Sequence, residues 1–242
     1  WKLSDSRTRP SDLSDHSATK NVIKKMFYLM LAARTGKEMP WGSLTGIRPT
    51  KIALTRLEEG WKEEDIRSFM KETYLASDDK IDLSIEIAAR EKKLLEPLDY
   101  ERGYSLYVGI PFCPTTCLYC SFTSYPIGKW KGRTGLYLEA LFKELEYTAR
   151  KMEGRPLDTV YFGGGTPTSL PAEDLEALLS RLEQLFGLSR VLEFTVEAGR
   201  PDSITPDKLK VLRDHGITRI SINPQTMNQK TLDLIGRHHT VE

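Results

Sequence analysis

The chain has 242 residues, 39% of them hydrophobic and 29% charged, which suffices to bury a core in one large or two small domains. Its 35 Lys and Arg are interspersed with 34 Asp and Glu, so no global field argues for a nucleic acid or an anionic membrane as partner. No run approaches the ~20 apolar residues that span a bilayer, and Trp1 to Asp15 holds no signal core, so the expected compartment is the cytoplasm. The first residue is Trp1, and the chain stops soon after Arg237 without a closing element, so a piece of a longer protein is expected.

Between Asn21 and Arg34, Val22, Ile23, Met26, Phe27, Met30 and Leu31 recur every three or four residues. That period predicts a helix with Lys24 and Lys25 opposite its apolar face, ended by Gly36 and Pro40. The segment Trp41-Gly42-Ser43-Leu44-Thr45-Gly46-Ile47-Arg48-Pro49-Thr50-Lys51 then leads into helices expected over Lys51–Glu59, Glu63–Tyr74 and Asp78–Leu95. Residues 1–100 therefore read as an N-terminal helical domain, with its boundary in the polar break from Pro97 to Gly103.

Beyond that break, strand-like runs alternate with helical ones. Strands are expected at Ser105–Ile110, Thr159–Phe162, Val191–Val196 and Thr218–Ile222. The first is followed by Arg133–Lys151, with Leu138, Leu141, Phe142 and Leu145 on one face. The second is followed by Glu173–Phe186, with Leu175, Leu178, Leu179, Leu182 and Phe186 on one face and Gly187 at its end. A third helix is capped by Thr205 with Pro206 in its first turn and closed by Gly216, and a fourth starts at Asn228. Residues 101–242 thus predict an α/β unit with a parallel sheet and right-handed crossovers, whose ligands bind beyond the C-terminal strand ends.

The chemically suggestive segments fall at those ends. Cys113, Cys117 and Cys120 follow the first strand, and their confinement to eight positions indicates metal or redox chemistry instead of disulfides. Iron-sulfur clusters usually take four thiolates, so three would leave one iron open to a small molecule. A zinc site completed by His16, His215, His238 or His239 is the alternative, although zinc pairs usually come as two knuckles. After the second strand, Gly163-Gly164-Gly165-Thr166-Pro167 either turns tightly or presents backbone groups to a ligand. Glu197, after the third, needs a partner at the end of a buried strand: a ligand hydroxyl or ammonium, or a salt bridge to Arg200. Gln225, after the fourth, suits sugar hydroxyls or a carboxylate, or serves a buried structural role. Arg237, His238 and His239 would serve the same site or end a helix in solvent. Lys129, Lys131 and Arg133 read as the start of a solvated helix.

The cysteine spacing of three residues then two, with Tyr119 before the last cysteine, resembles the signature of the radical S-adenosylmethionine (SAM) superfamily. Tyr107 to Cys120, Gly163 to Pro167, Glu197 to Pro201, Gln225 and Arg237 together resemble the oxygen-independent coproporphyrinogen III dehydrogenase (oxidase) family, over Tyr104 to His239. The Trp41 to Lys51 segment resembles its HemZ-like branch. The resemblance implies that Cys113, Cys117 and Cys120 bind three irons of a 4Fe-4S cluster. It also implies that Tyr107, Tyr119, Gly164, Gly165, Thr166, Glu197, Gln225 and Arg237 contact SAM, and it assigns no catalytic side chain. The implied fold is a partial (β/α) barrel, truncated here to about four β/α units with its C-terminal part absent. The implied reaction is oxidative decarboxylation of coproporphyrinogen III propionates to give protoporphyrinogen IX in haem biosynthesis, with electrons from a donor such as flavodoxin or ferredoxin. Only the tetrapyrrole substrate that the resemblance implies would make Lys129, Lys131 and Arg133 partners for its carboxylates. Position 122 is Phe where the best known branch has a further cysteine, and related members act as haem chaperones or anaerobic haem-processing enzymes.

Overall fold

The computed structural model describes residues 14–46, 48–130 and 132–242. Residues 1–13, Ile47 of the Trp41 to Lys51 segment and Lys131 of the basic trio lie outside the described residues. The chain divides into two compact units, which part after Pro97.

The first unit is helical. Helix α1 (His16–Thr35) starts where Asp15 accepts the backbone N–H groups of Ser17 and Ala18, each at 2.9 Å, and stops at Gly36 in the left-handed region, φ 66°. None of its residues is fully buried, because its apolar stripe is split. Val22, Met26 and Met30 are half-buried, whereas Ile23, Phe27 and Leu31 are exposed. Lys24 and Lys25, expected on the far side, point inward instead: their ammonium groups donate to Thr45 Oγ1 and to the Glu72 carbonyl. Long methylene stems let a lysine cover apolar surface while its charge finds an acceptor, and Glu72 offers a carbonyl from the last turn of the next helix but one.

Helices α2 (Thr50–Glu58), α3 (Glu63–Tyr74) and α4 (Asp78–Leu95) enclose a core of Ala53, Leu54, Ile66, Met70, Ala76, Ile81, Ile85 and Ala88. The Trp41 to Lys51 segment ties into this core through its backbone. Ser43 N–H donates to the Tyr74 carbonyl at 2.7 Å, and Gly42, at φ 55°, lies so close that a Cβ would stand 2.1 Å from that oxygen. Only glycine fits there.

The second unit has a four-stranded sheet of β1 (Tyr104–Ile110), β4 (Leu157–Gly164), β5 (Glu193–Glu197) and β6 (Arg219–Ser221), all parallel and in chain order. Two residues each of β2 (Phe112–Cys113) and β3 (Tyr125–Pro126) pair beside it, across the mouth of the cysteine loop. Helices α5 (Thr134–Lys151), α6 (Ala172–Phe186) and α7 (Pro206–Asp214) make the three crossovers, and α8 (Gln229–Leu234) follows β6. Val191 and Leu192, expected in the third strand, follow a single turn at Leu188–Arg190 instead.

Strand alternation sets the layers. Val108, Ile110, Val160, Phe162, Phe194 and Val196 point to one face and pack with Leu138, Leu141 and Leu145 of α5 and Leu175, Leu178, Leu179 and Leu182 of α6. Each such side chain fully buried contributes about 1.5–3 kcal/mol of transfer free energy. The register row Tyr107, Tyr161, Thr195 and Arg219 faces the other way. There Tyr107 and Tyr161 are exposed at 61% and 36%, so this face of a parallel sheet is open among the described residues.

Candidate functional site

The cysteine loop is positioned by backbone hydrogen bonds at both ends. Tyr125 N–H donates to the Pro111 carbonyl at 2.8 Å, and Cys120 N–H donates to the Cys117 carbonyl at 3.0 Å. Residues more than a hundred positions downstream hold its middle: Leu118 N–H reaches the Ile235 carbonyl at 3.0 Å, and Thr115 Oγ1 donates to the Gly236 carbonyl at 2.8 Å. The strand-to-helix turn after β4 closes the other side, where Gly165 and Thr166 N–H donate to the Ile110 and Phe112 carbonyls, each at 2.7 Å. A Cβ on Gly165 would stand 2.7 Å from the Phe112 carbonyl oxygen and 3.1 Å from Cys113 Sγ, so the turn reaches the cysteine only because residue 165 has no side chain.

One cavity of about 180 Å³ collects nearly all the residues singled out from the sequence. Its lining includes Cys113, Cys117, Cys120, Tyr119, Gly164, Gly165, Thr166, Glu197, Gln225 and Arg237. Of the residues expected to contact SAM, Tyr107 lies outside the lining, stacked on Tyr161 with ring centroids 5.9 Å apart and planes within 11°. Tyr161 in turn donates to Glu197 Oε1 at 2.6 Å, so Tyr107 meets the site through the tyrosine that leads into the glycine run.

All three thiols are free. Burial pushes the Cys113 thiol above its ordinary range, against the opposing pull of Thr166 Oγ1, 3.4 Å from its sulfur, and of Arg200. Cys120 is less buried, with Ser124 Oγ 3.9 Å from its sulfur. Among the described residues no three His, Cys, Asp or Glu side chains gather as one metal ion requires. Of the histidines offered to a zinc site, His215 is engaged elsewhere, between Glu176 and Glu183 on α6. A cubane cluster makes a different demand, one thiolate on each of three separate irons, and a loop with three spaced thiols suits it.

Glu197 is not paired with Arg200. The guanidinium takes Asp202 instead, with Nε and Nη2 donating to its two carboxylate oxygens at 2.9 and 2.7 Å. Burial works against both charges, but the bidentate pair offsets it and holds Asp202 below the usual carboxylate range. Glu197 thus retains acceptor capacity beyond its bond from Tyr161, whose phenol is pushed up to about 12, chiefly by that bond. Gln225 has φ 69°, a left-handed backbone costing a side-chain-bearing residue roughly 1–2 kcal/mol. Strain of this kind concentrates at binding sites. Arg237 is buried and donates Nη1 to the carbonyls of Asn223 and Gly199 at 2.7 and 3.1 Å, yet its Nε has no partner. An acceptor entering the cavity would satisfy it.

Of the remaining candidates, Lys129 lies in a single turn at Ile127–Trp130, Arg133 has its guanidinium 6.0 Å from the Trp130 ring, and neither lines the cavity. His238 is exposed, and both ring nitrogens of His239 are buried without partners, outside the cavity lining. Sequence reasoning missed the roles of Arg200, Thr115 and Tyr161. Their one legible signal was a charged residue, Arg200, three positions after the strand end that carries Glu197.

The Radical SAM superfamily model matches residues 107–242. Among curated proteins the chain is similar to the oxygen-independent coproporphyrinogen-III oxidase-like protein HemZ of Bacillus subtilis, 44% identical over 92% of this chain and 45% of that protein. It is also similar to the heme chaperone HemW of the same organism, 40% identical over 56% of this chain and 35% of that one. Among solved structures, coproporphyrinogen III oxidase (HemN) from Escherichia coli, described as a radical SAM enzyme, matches with a TM-score of 0.52 and 33% identity, over 57% of this chain and 32% of that one. The chain spans less than half the length of each of these proteins. The sheet is the corresponding part of a radical SAM barrel, and the chain belongs to the radical SAM superfamily, in its HemZ-like branch.

Proposed function

We propose that Cys113, Cys117 and Cys120 hold a 4Fe-4S cluster with SAM beside it, in a protein that converts coproporphyrinogen III to protoporphyrinogen IX without oxygen. The observation that carries this reading is the cavity itself: three free thiols of one loop share it with Glu197, Gln225 and Arg237 from three other strand ends and turns. The donor set fits. Three thiolates leave one iron for SAM, and the unpaired Arg237 Nε, the acceptor oxygens of Glu197 and the Gln225 amide match a ligand carrying a carboxylate, an ammonium and sugar hydroxyls. When bound, the pair supplies reductive cleavage of SAM to methionine and a 5′-deoxyadenosyl radical able to remove hydrogen from a propionate side chain.

The chain contributes binding, orientation and exclusion of water. Loading takes the proton from the Cys113 thiol, the protonated form that burial otherwise favours. Arg237, fixed on two carbonyls, presents Nε in one direction only. Tyr161 holds the Glu197 carboxylate at the rim between the cavity and the open sheet face. Electrons from flavodoxin or ferredoxin and a cytoplasmic place of action complete the reading. Among the described residues no helix is long and apolar enough to cross a membrane.

The test uses the full-length protein, reconstituted anaerobically with iron and sulfide, reduced, and given SAM and coproporphyrinogen III. Deoxyadenosine and protoporphyrinogen detected by mass, both abolished in Cys117→Ala, are expected. The HemW-like relatives and Phe122 in place of a further cysteine favour a second reading, a haem chaperone. Stoichiometric haem binding without porphyrinogen turnover would establish that one, and absence of both cluster and deoxyadenosine would refute the central claim.

A further inference from the structure

Arg200 is 2% exposed and is among the largest fully buried side chains of the molecule. Guanidinium groups are almost never buried to that extent unless paired, and Asp202 supplies the pair. Two further contacts tie the same group to the cysteine loop. Nη2 donates to Thr115 Oγ1 at 3.1 Å, while Nη1 donates to the Thr115 carbonyl at 3.1 Å and to Cys117 Sγ at 3.6 Å.

The last contact is the informative one. Asp202 and Thr115 already provide the oxygens that burial of the guanidinium demands, so the bond to sulfur is not needed to satisfy it. Because Asp202 balances the charge, the sulfur receives mainly a directed N–H dipole. Among the described residues Cys113 and Cys120 have hydroxyls as their hydrogen-bond partners, at 3.4 and 3.9 Å, whereas Cys117 receives an N–H directly from the guanidinium. Hydrogen bonds to sulfur are among the levers by which a protein sets an iron-sulfur potential, since they stabilise the reduced state with its extra negative charge.

We propose that Arg200 is a positioning residue that raises the reduction potential of the cluster through its N–H bond to the Cys117 sulfur. This brings the cluster within reach of a single electron from a reduced flavin or iron-sulfur protein. The inference rests on the reading that the three thiolates hold a cluster, and it adds a residue that lies outside the ligand set.

The test is a dithionite titration of the reconstituted full-length protein, followed by electron paramagnetic resonance, with iron and sulfide measured per chain. Arg200→Met at full iron content is expected to shift the midpoint to more negative potential. Arg200→Lys keeps a cation against Asp202 but loses the fork that reaches sulfur, so it shifts the same way and serves where the Met variant does not fold. Asp202→Asn, which retains the donor at sulfur, is expected not to shift it negatively. A loss of folding alone would leave the midpoint of the surviving clusters unchanged. Midpoints of Arg200→Lys and wild type that coincide at equal iron content overturn this inference alone, whereas a wild-type protein that assembles no cluster overturns the reading beneath it.

Discussion

Residue Tyr161 shows how one side chain connects two of the expected contacts, stacking on Tyr107 and donating to Glu197. Tyr161→Phe removes a bond to a charged acceptor, worth at most about 1.5–3 kcal/mol and less at a partly exposed site. The apparent Kd for SAM is therefore expected to rise ~3–10-fold, read by isothermal titration of the reconstituted protein. Its phenol pKa of about 12 lies above the ordinary 10.0, so the bond's contribution to stability is full below pH 10 and lost as pH rises through 12. Tyr137 is also pushed to about 12, mainly by burial, and the variant is expected to lose one late-titrating phenol from the alkaline absorbance of wild type. Gln225 illustrates the opposite case, a residue whose place at the cavity was legible from its position after a strand but whose strain was not. Its left-handed backbone depends on how the segment after β6 meets Gly199 and Arg237, which no local pattern encodes.

Elements were legible where short-range chemistry decides them. The bounds of α3 and α4 follow from their apolar period and acidic first turns, and those of α7 from Thr205, Pro206 and Gly216. The orientation of α1 was not, because its six apolar residues span two adjoining stripes and its lysine stems are themselves partly apolar. The tiny β2–β3 pair was illegible too, since its partners are joined only by the closure of the cysteine loop. In the second unit the leucine stripe of α6 is the clearest match between pattern and packing. Leu178→Ala, at a fully buried position, is expected to cost about 2–5 kcal/mol in denaturant unfolding. Helix α7 is pinned to α6 by His215 between Glu183 and Glu176. Burial alone would depress its pKa, but the two carboxylates more than offset that and raise it. A raised folded value means stability present below the ordinary 6.5 and lost as pH rises through the folded pKa. His215→Gln should therefore lower Tm more at about pH 5.5 than at about pH 8, measured by thermal scans.

At the scale of the whole molecule, the two compact units part after Pro97, and Tyr100, Glu101 and Arg102 beyond it are exposed. Brief trypsin treatment of the native protein is expected to cut first at Arg102, giving two fragments by mass, and an initial cut inside α5 or α6 would contradict that. The parallel sheet in chain order has no hairpin, so every strand pair closes a long stretch of chain. The cysteine loop shares this property through its bonds to Ile235 and Gly236. During synthesis, Cys113, Cys117 and Cys120 leave the ribosome well before the residues that brace them. At about 5–20 residues per second the interval is on the order of ten seconds. Over that interval the thiols are unbraced and open to oxidation, so on the reading proposed above iron delivery follows release of Gly236, and the iron content of recombinant protein is expected to rise when nascent chains are kept reduced.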